Sequence, residues 1–125
     1  MRYKDLVQKF NQGINRPFNP KVVAVFEKGR FPTIICNGKA VVELKDFERE
    51  ICLLTGDEVF VLGRESDCNV DLVQHFGVDT VVNNVSRYHC FIERQIVPTG
   101  EAMYVLYDCS STDTSVVLTK TIWLW

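Results

Sequence analysis

No run in this sequence approaches the roughly 20 apolar residues of a membrane span, and none of its five cysteines stands in a Cys-x-x-Cys pair. The first absence argues against a spanning chain and a membrane partner. The second excludes a zinc knuckle, which needs clustered ligand pairs. Positive charge is not in excess either: 14 Lys and Arg face 16 Asp and Glu, for a net charge of −2. General nucleic-acid binders are usually basic, so that class is set aside. Net charge describes an average, however, and leaves room for a small basic pocket. The opening "MRYKDLVQKF" carries charges where a secretory leader needs an apolar run. There is no Gly-x-Ser-x-Gly nucleophile elbow, no repeat and no low-complexity segment. These absences lead us to expect an intracellular protein, cytoplasmic or nuclear, with no metal or cofactor. Its cysteines, Cys36, Cys52, Cys68, Cys90 and Cys109, are expected to be reduced and mostly small core residues.

What is present is a core for one domain. The 125 residues are 46% hydrophobic and 24% charged, ordinary values for a soluble globule. Leu6 and Phe10, four apart, predict a short helix over 3–10. Residues 11–20, "NQGINRPFNP", read as a loop or linker. From residue 21 the texture is β-rich. "KVVAVF", "FPTIIC", "KAVVEL", "EICLL", "EVFVLG", "NVDLV", "RYHCFIER", "MYVLYD" and "TSVVL" are dense in strand formers. Asn37-Gly38 is the strongest turn signal, because both residues tolerate positive φ. Gly56-Asp57 and Pro98-Thr99-Gly100 act similarly. Short strands at this spacing predict an all-β sandwich over 21–125, preceded by a helix and linker over 1–20. The segment 73–84 reads as a loop with some apolar anchoring.

The octet "NNVSRYHC", 83–90, joins Ser86, Arg87 and His89. A Ser beside a His suggests a hydrolase; a Ser beside an Arg suggests an anion site. If 86–92 is extended, Ser86 and His89 fall on opposite faces and share no proton, so no enzyme is expected. A Ser–His–Asp triad using Asp108 is conceivable only by assembly across the fold. His75 stands alone and is assigned no chemistry.

Three pieces follow in order: "VLGRESDCNVDL", "VSRYHCFIE" and "YVLYDCSSTDTSVV". They carry Gly63-Arg64, then Ser86-Arg87-Tyr88-His89, then Ser111-Thr112-Asp113-Thr114-Ser115. Over about residues 50–117 this order resembles the forkhead-associated (FHA) family, phosphothreonine-binding β-sandwiches of the SMAD/FHA type. The resemblance implies that Arg64 and Ser86 touch phosphate and that Thr112 and Asp113 hold the peptide backbone. Gly63 and His89 would be structural at the site, His89 by stabilising its loop. The chemistry agrees. A phosphothreonine carries close to two negative charges and three acceptor oxygens. Arg64 can offer a guanidinium fork, Ser86 a hydroxyl and a backbone N–H, and Arg87 a second cation to complete the ring. Each charge-assisted bond is worth roughly 1.5–3 kcal/mol. The expected partner is a phosphothreonine-containing protein or peptide.

Two positions depart from the family's pattern. Asp113 stands where an Asn is usual, and an ionised Asp only accepts. Thr114 stands where a Gly takes positive φ, which a β-branched residue resists. Only "VVLTKTIWLW" follows the turn, where the family continues for several strands, and an uncovered edge would expose Trp123 and Trp125. The block 21–45, or a partner chain, could cover it. These departures motivate a second expectation: an FHA-like scaffold module that has lost phosphate dependence. It would form homo- or hetero-oligomers through sheet edges and its Trp-bearing C-terminus.

Overall fold

The β-rich runs form two sheets that share one core. The computed structural model describes residues 1–38, 40–78 and 85–111, together with the backbone of 114–117. Strands β1 (Lys21–Phe26), β4 (Val59–Gly63), β5 (Val70–Asp71), β6 (Cys90–Ile96) and β7 (Ala102–Asp108) make one sheet, in the order β1-β7-β6-β4-β5. Strands β2 (Thr33–Cys36), β3 (Ala40–Glu43) and β8 (Thr114–Val117) make the other, in the order β3-β2-β8. The β4–β5 pairing is parallel and the rest are antiparallel. Asn37 and Gly38 take φ of 49° and 70° where β2 turns into β3, the conformation their sequence favours. The described residues are therefore mainly β. No helix among them is long and apolar enough to cross a membrane.

Side-chain alternation puts Phe26, Ile34, Val42, Leu62, Ile92 and Leu106 from both sheets into one buried cluster. In β4 all five residues are buried, because both faces of that strand are covered. Phe60 and Leu62 point into the core shared by the sheets, and Val59 and Val61 into a second cluster beneath the N-terminal helix.

That helix, α1 (Tyr3–Gly13), runs three residues beyond the predicted 3–10. Leu6 and Phe10 are fully buried against Val59, Val61, Tyr88 and Phe91. Phe18 follows, edge-on to Phe10 at 5.1 Å and stacked near Phe91 at 6.2 Å. The segment 1–20 is thus packed into the fold. Its start is pinned by the backbone: Val59 N–H donates to Met1 O at 2.7 Å, and Tyr3 N–H to Asp57 O at 2.8 Å. A helix this short is marginal alone; burial of its apolar face holds it in place.

Two expected strands are corrected. Of "EICLL", Glu50, Ile51 and Cys52 lie in α2 (Glu48–Cys52) and Leu53 and Leu54 follow it; a 3₁₀ turn at Leu44–Phe47 precedes it. Leu44, Phe47, Ile51 and Leu54 are spaced by three, four and three residues, so only a helical path turns them all toward the core. "NVDLV" gives two strand residues and then α3 (Leu72–Phe76). The Asp71 carboxylate accepts from the Val73 and Gln74 amides at 3.0 and 3.3 Å, a side-chain cap that starts the helix. The first part of the expected 73–84 loop is therefore helical, and residues 79–84 lie outside the described residues.

The α2 assignment makes a direct prediction. Ile51 is fully buried and Leu53 is 68% exposed. Ile51→Ala should cost about 2–5 kcal/mol in urea unfolding, and Leu53→Ala no more than about 0.5 kcal/mol. Equal costs at both positions would contradict the helix.

Candidate functional site

Three chain segments meet at the end of β4, and backbone bonds hold them together. Arg64 N–H donates to Ser86 O at 3.2 Å and to Arg87 O at 3.0 Å; Glu65 N–H donates to Arg87 O at 3.2 Å. His89 N–H donates to Leu62 O at 2.9 Å, and Cys109 N–H to His89 O at 3.1 Å. The segments 63–65, 86–89 and 109–111 are thereby fixed relative to one another.

Gly63 makes the crossing possible. A methyl group there would overlap the Arg87 carbonyl oxygen and lie 3.0 Å from Tyr88 Cα. These are backbone atoms of a bonded turn, so they have little room to yield. Gly63 is needed for close approach, since its own φ is not among the positive ones.

Ser86 and Ser111 form the polar centre. Ser111 N–H donates to Ser86 Oγ at 3.2 Å, and the two hydroxyl oxygens are 3.4 Å apart. Ser86 is half-buried and Ser111 exposed. Ser86 Oγ accepts the Ser111 amide proton, and either hydroxyl can donate across the contact between them. The downstream turn is held by Asp108, whose carboxylate accepts from Ser110 N–H at 3.0 Å and from the Ser110 hydroxyl at 2.6 Å. Arg64, half-buried, lies next to Ser86 through its backbone bond.

His89 corrects the extended reading of 86–92. Residues 87 and 88 form a turn and β6 begins only at Cys90. Ser86 and His89 are therefore in contact: Ser86 N–H donates to His89 Nδ1 at 3.0 Å. The bond runs to the amide, not the hydroxyl. It occupies the lone pair that a general base would use, and the imidazole is fully buried. His89 braces the turn from inside. The Cys36 thiol is drawn below its ordinary range, chiefly by Cys90 and, against burial, by His89. All three residues are fully buried, so the shift creates no accessible nucleophile.

Arg87, expected to complete an anion ring, is engaged within the protein. Its Nε donates to the Glu65 carboxylate, and its Nη1 donates to Gly13 O at 2.9 Å. The bond to Glu65 raises its already high pKa further. Thr112 and Asp113 lie outside the described residues, as do Trp123 and Trp125.

Sequence reasoning missed Ser111 as the direct partner of Ser86, and Glu65 as the partner of Arg87. Neither residue has a spacing rule that announces it; the contacts cross 25 and 22 positions. Elsewhere, an open groove of about 610 Å³ is lined by Lys28, Lys45, Asp46, Glu48 and Arg49, with Cys52 and Leu53. Its charges are of both signs and partly spent. Lys45 pairs with Glu43 at 3.7 Å, and Glu48 accepts from Gly29 N–H at 2.6 Å.

Compared with known proteins, the chain matches no family model, no curated protein and no solved structure.

Gly63→Ala should destabilise the fold by about 1–3 kcal/mol, as overpacking against a rigid wall does. Chemical denaturation measures it. An unchanged midpoint would mean that the β4 end and the 86–88 turn are not in contact.

Proposed function

We propose that the protein is an FHA-like β-sandwich module that binds phosphothreonine peptides at Ser86, Ser111 and Arg64. One observation carries this reading. The Ser86 hydroxyl, held by the Ser111 amide, sits in a turn whose backbone is bonded to Arg64. A hydroxyl held in place suits a phosphate, whose oxygens accept charge-assisted bonds, and Arg64 is the arginine of the backbone segment bonded to that turn. Preorganisation matters because ordering the site on binding would subtract from affinity. Two sheets around one core, with three segments bonded together at the end of β4, also suit such a module. Arg87 has a bracing role, and His89 none in catalysis.

The test is a titration with a phosphothreonine peptide library against its unphosphorylated counterpart. Binding should require the phosphate. Arg64→Ala and Ser86→Ala should each weaken it about tenfold or more with the fold intact by circular dichroism. Wild-type affinity in both variants would remove the site.

A second reading, a scaffold module that ignores phosphate, is favoured by one observation. The outer strand β1 carries Val22 and Val25, 57% and 56% exposed. Apolar outer strands are natural partners for another chain. On this reading, sedimentation finds an oligomer that Val25→Lys dissociates. A monomer unaffected by that change would sink it.

A further inference from the structure

The N-terminal helix does more than cover a sheet face. It runs beside β4 from one end of that strand to the other. Its start is bonded to Val59 and Asp57, and its end reaches the loops at the Gly63 side. Gly13, at its end, is bonded to the 86–89 segment, and Arg16, just beyond it, to the 109–111 segment.

Lys9 donates to the Asp67 carboxylate, which also accepts from the Tyr88 hydroxyl at 3.1 Å. Burial alone raises the Asp67 pKa, but the bonds from Lys9 and Tyr88 and the Lys9 charge outweigh it, so Asp67 is held below its usual range. At the helix end, Gly13 O accepts from Arg87 Nη1, and Arg87 in turn grips Glu65, the residue after Arg64. Beyond the helix, Arg16 Nη1 donates to Cys109 O at 2.9 Å, two residues before Ser111. The Arg16 guanidinium also lies 4.8 Å over the Phe10 ring, which is buried in the same helix.

We infer that α1 and the residue turn after it are a strap that sets the spacing of the site loops, with Gly13 and Arg16 as positioning residues. Gly13 holds the 63–65 and 86–89 segments through Arg87; Arg16 holds the 109–111 segment directly. Exposed ion pairs contribute little singly. This strap differs because the helix that carries it is anchored by the fully buried Leu6 and Phe10. Glycine at 13 has a specific reason. The Arg87 guanidinium occupies the space where a Cβ would be. Alanine there would evict a flexible side-chain end, not backbone, and alanine favours a helix over glycine. Gly13→Ala therefore breaks the link and leaves the core untouched.

The affinity part of this inference rests on the phosphopeptide reading; the loop-spacing part does not. The test uses the full chain with Gly13→Ala, Arg16→Ala, Arg16→Lys, Arg87→Ala and the Gly13→Ala/Arg87→Ala double variant. Amide hydrogen exchange at Arg64, Glu65 and Ser111 is followed beside the denaturation midpoint and the affinity for a phosphothreonine peptide. Gly13→Ala should speed exchange at Arg64 and Glu65, and Arg16→Ala at Ser111, each about tenfold, with the midpoint nearly unchanged. Affinity should fall about three- to tenfold in both. Arg16→Lys, which keeps a donor on a long stem, should recover most of the loss. The double variant should match Arg87→Ala alone, because Gly13 acts through Arg87. Unchanged exchange at these amides in Gly13→Ala and Arg16→Ala would overturn the strap, as would full additivity in the double variant. A wild-type protein that ignores phosphopeptide would defeat the proposed function, while the exchange rates would still decide the strap.

Discussion

The close backbone crossing at Gly63 is the constraint on which the site depends. Where β4 ends, the turn at Arg87 and Tyr88 passes so near that no side chain fits between. That proximity lets Arg64 and Glu65 donate to the Ser86 and Arg87 carbonyls, and lets His89 extend the ladder from Leu62. Distance between the strands is thus set by an absent Cβ, and each backbone bond that follows satisfies a group that would otherwise be costly to bury. The polar pair of Ser86 and Ser111 is a consequence. It forms because Cys109, bonded to His89 O, brings the third segment alongside the second.

The charged groups act at a different level. Arg87, Glu65, Lys9 and Asp67 are half-exposed or exposed, and pairs of that kind add little to global stability. Their effect is local: they decide where loops sit on a frame already made by burial. The same division appears in α1. Leu6 and Phe10 anchor it by removing apolar surface from water, while Lys9 and Gly13 are bonded to the loops. One short helix therefore has a packing face and a positioning edge, separated by its 3.6-residue period.

Comparison of the sequence with the fold shows where local pattern suffices. Strands at 21–26, 33–36, 40–43, 59–63, 102–108 and 114–117 were legible as alternating or continuous apolar runs. The Asn37-Gly38 turn was legible from its tolerance of positive φ. The "EICLL" run was misread because a short apolar window does not reveal its period. The helical spacing emerges only when Leu44 and Phe47 are counted with Ile51 and Leu54. At 86–89 the error was an assumption of extended backbone, where the turn brings Ser86 and His89 together. The Asp71 cap was visible in principle, as an acidic residue directly before an apolar run.

By itself the sequence determined the mainly-β character, most strand positions and the Asn37-Gly38 turn. Each of these follows from side-chain chemistry and short-range periodicity, which act over a few residues. Only the tertiary structure decided that Arg87 turns to Glu65 and Gly13, that Ser111 holds Ser86, and that Arg16 of the N-terminal segment reaches Cys109. Those contacts join residues 22 to 93 positions apart. Long-range pairing is set by which strands pack side by side around the core, and no local spacing encodes it.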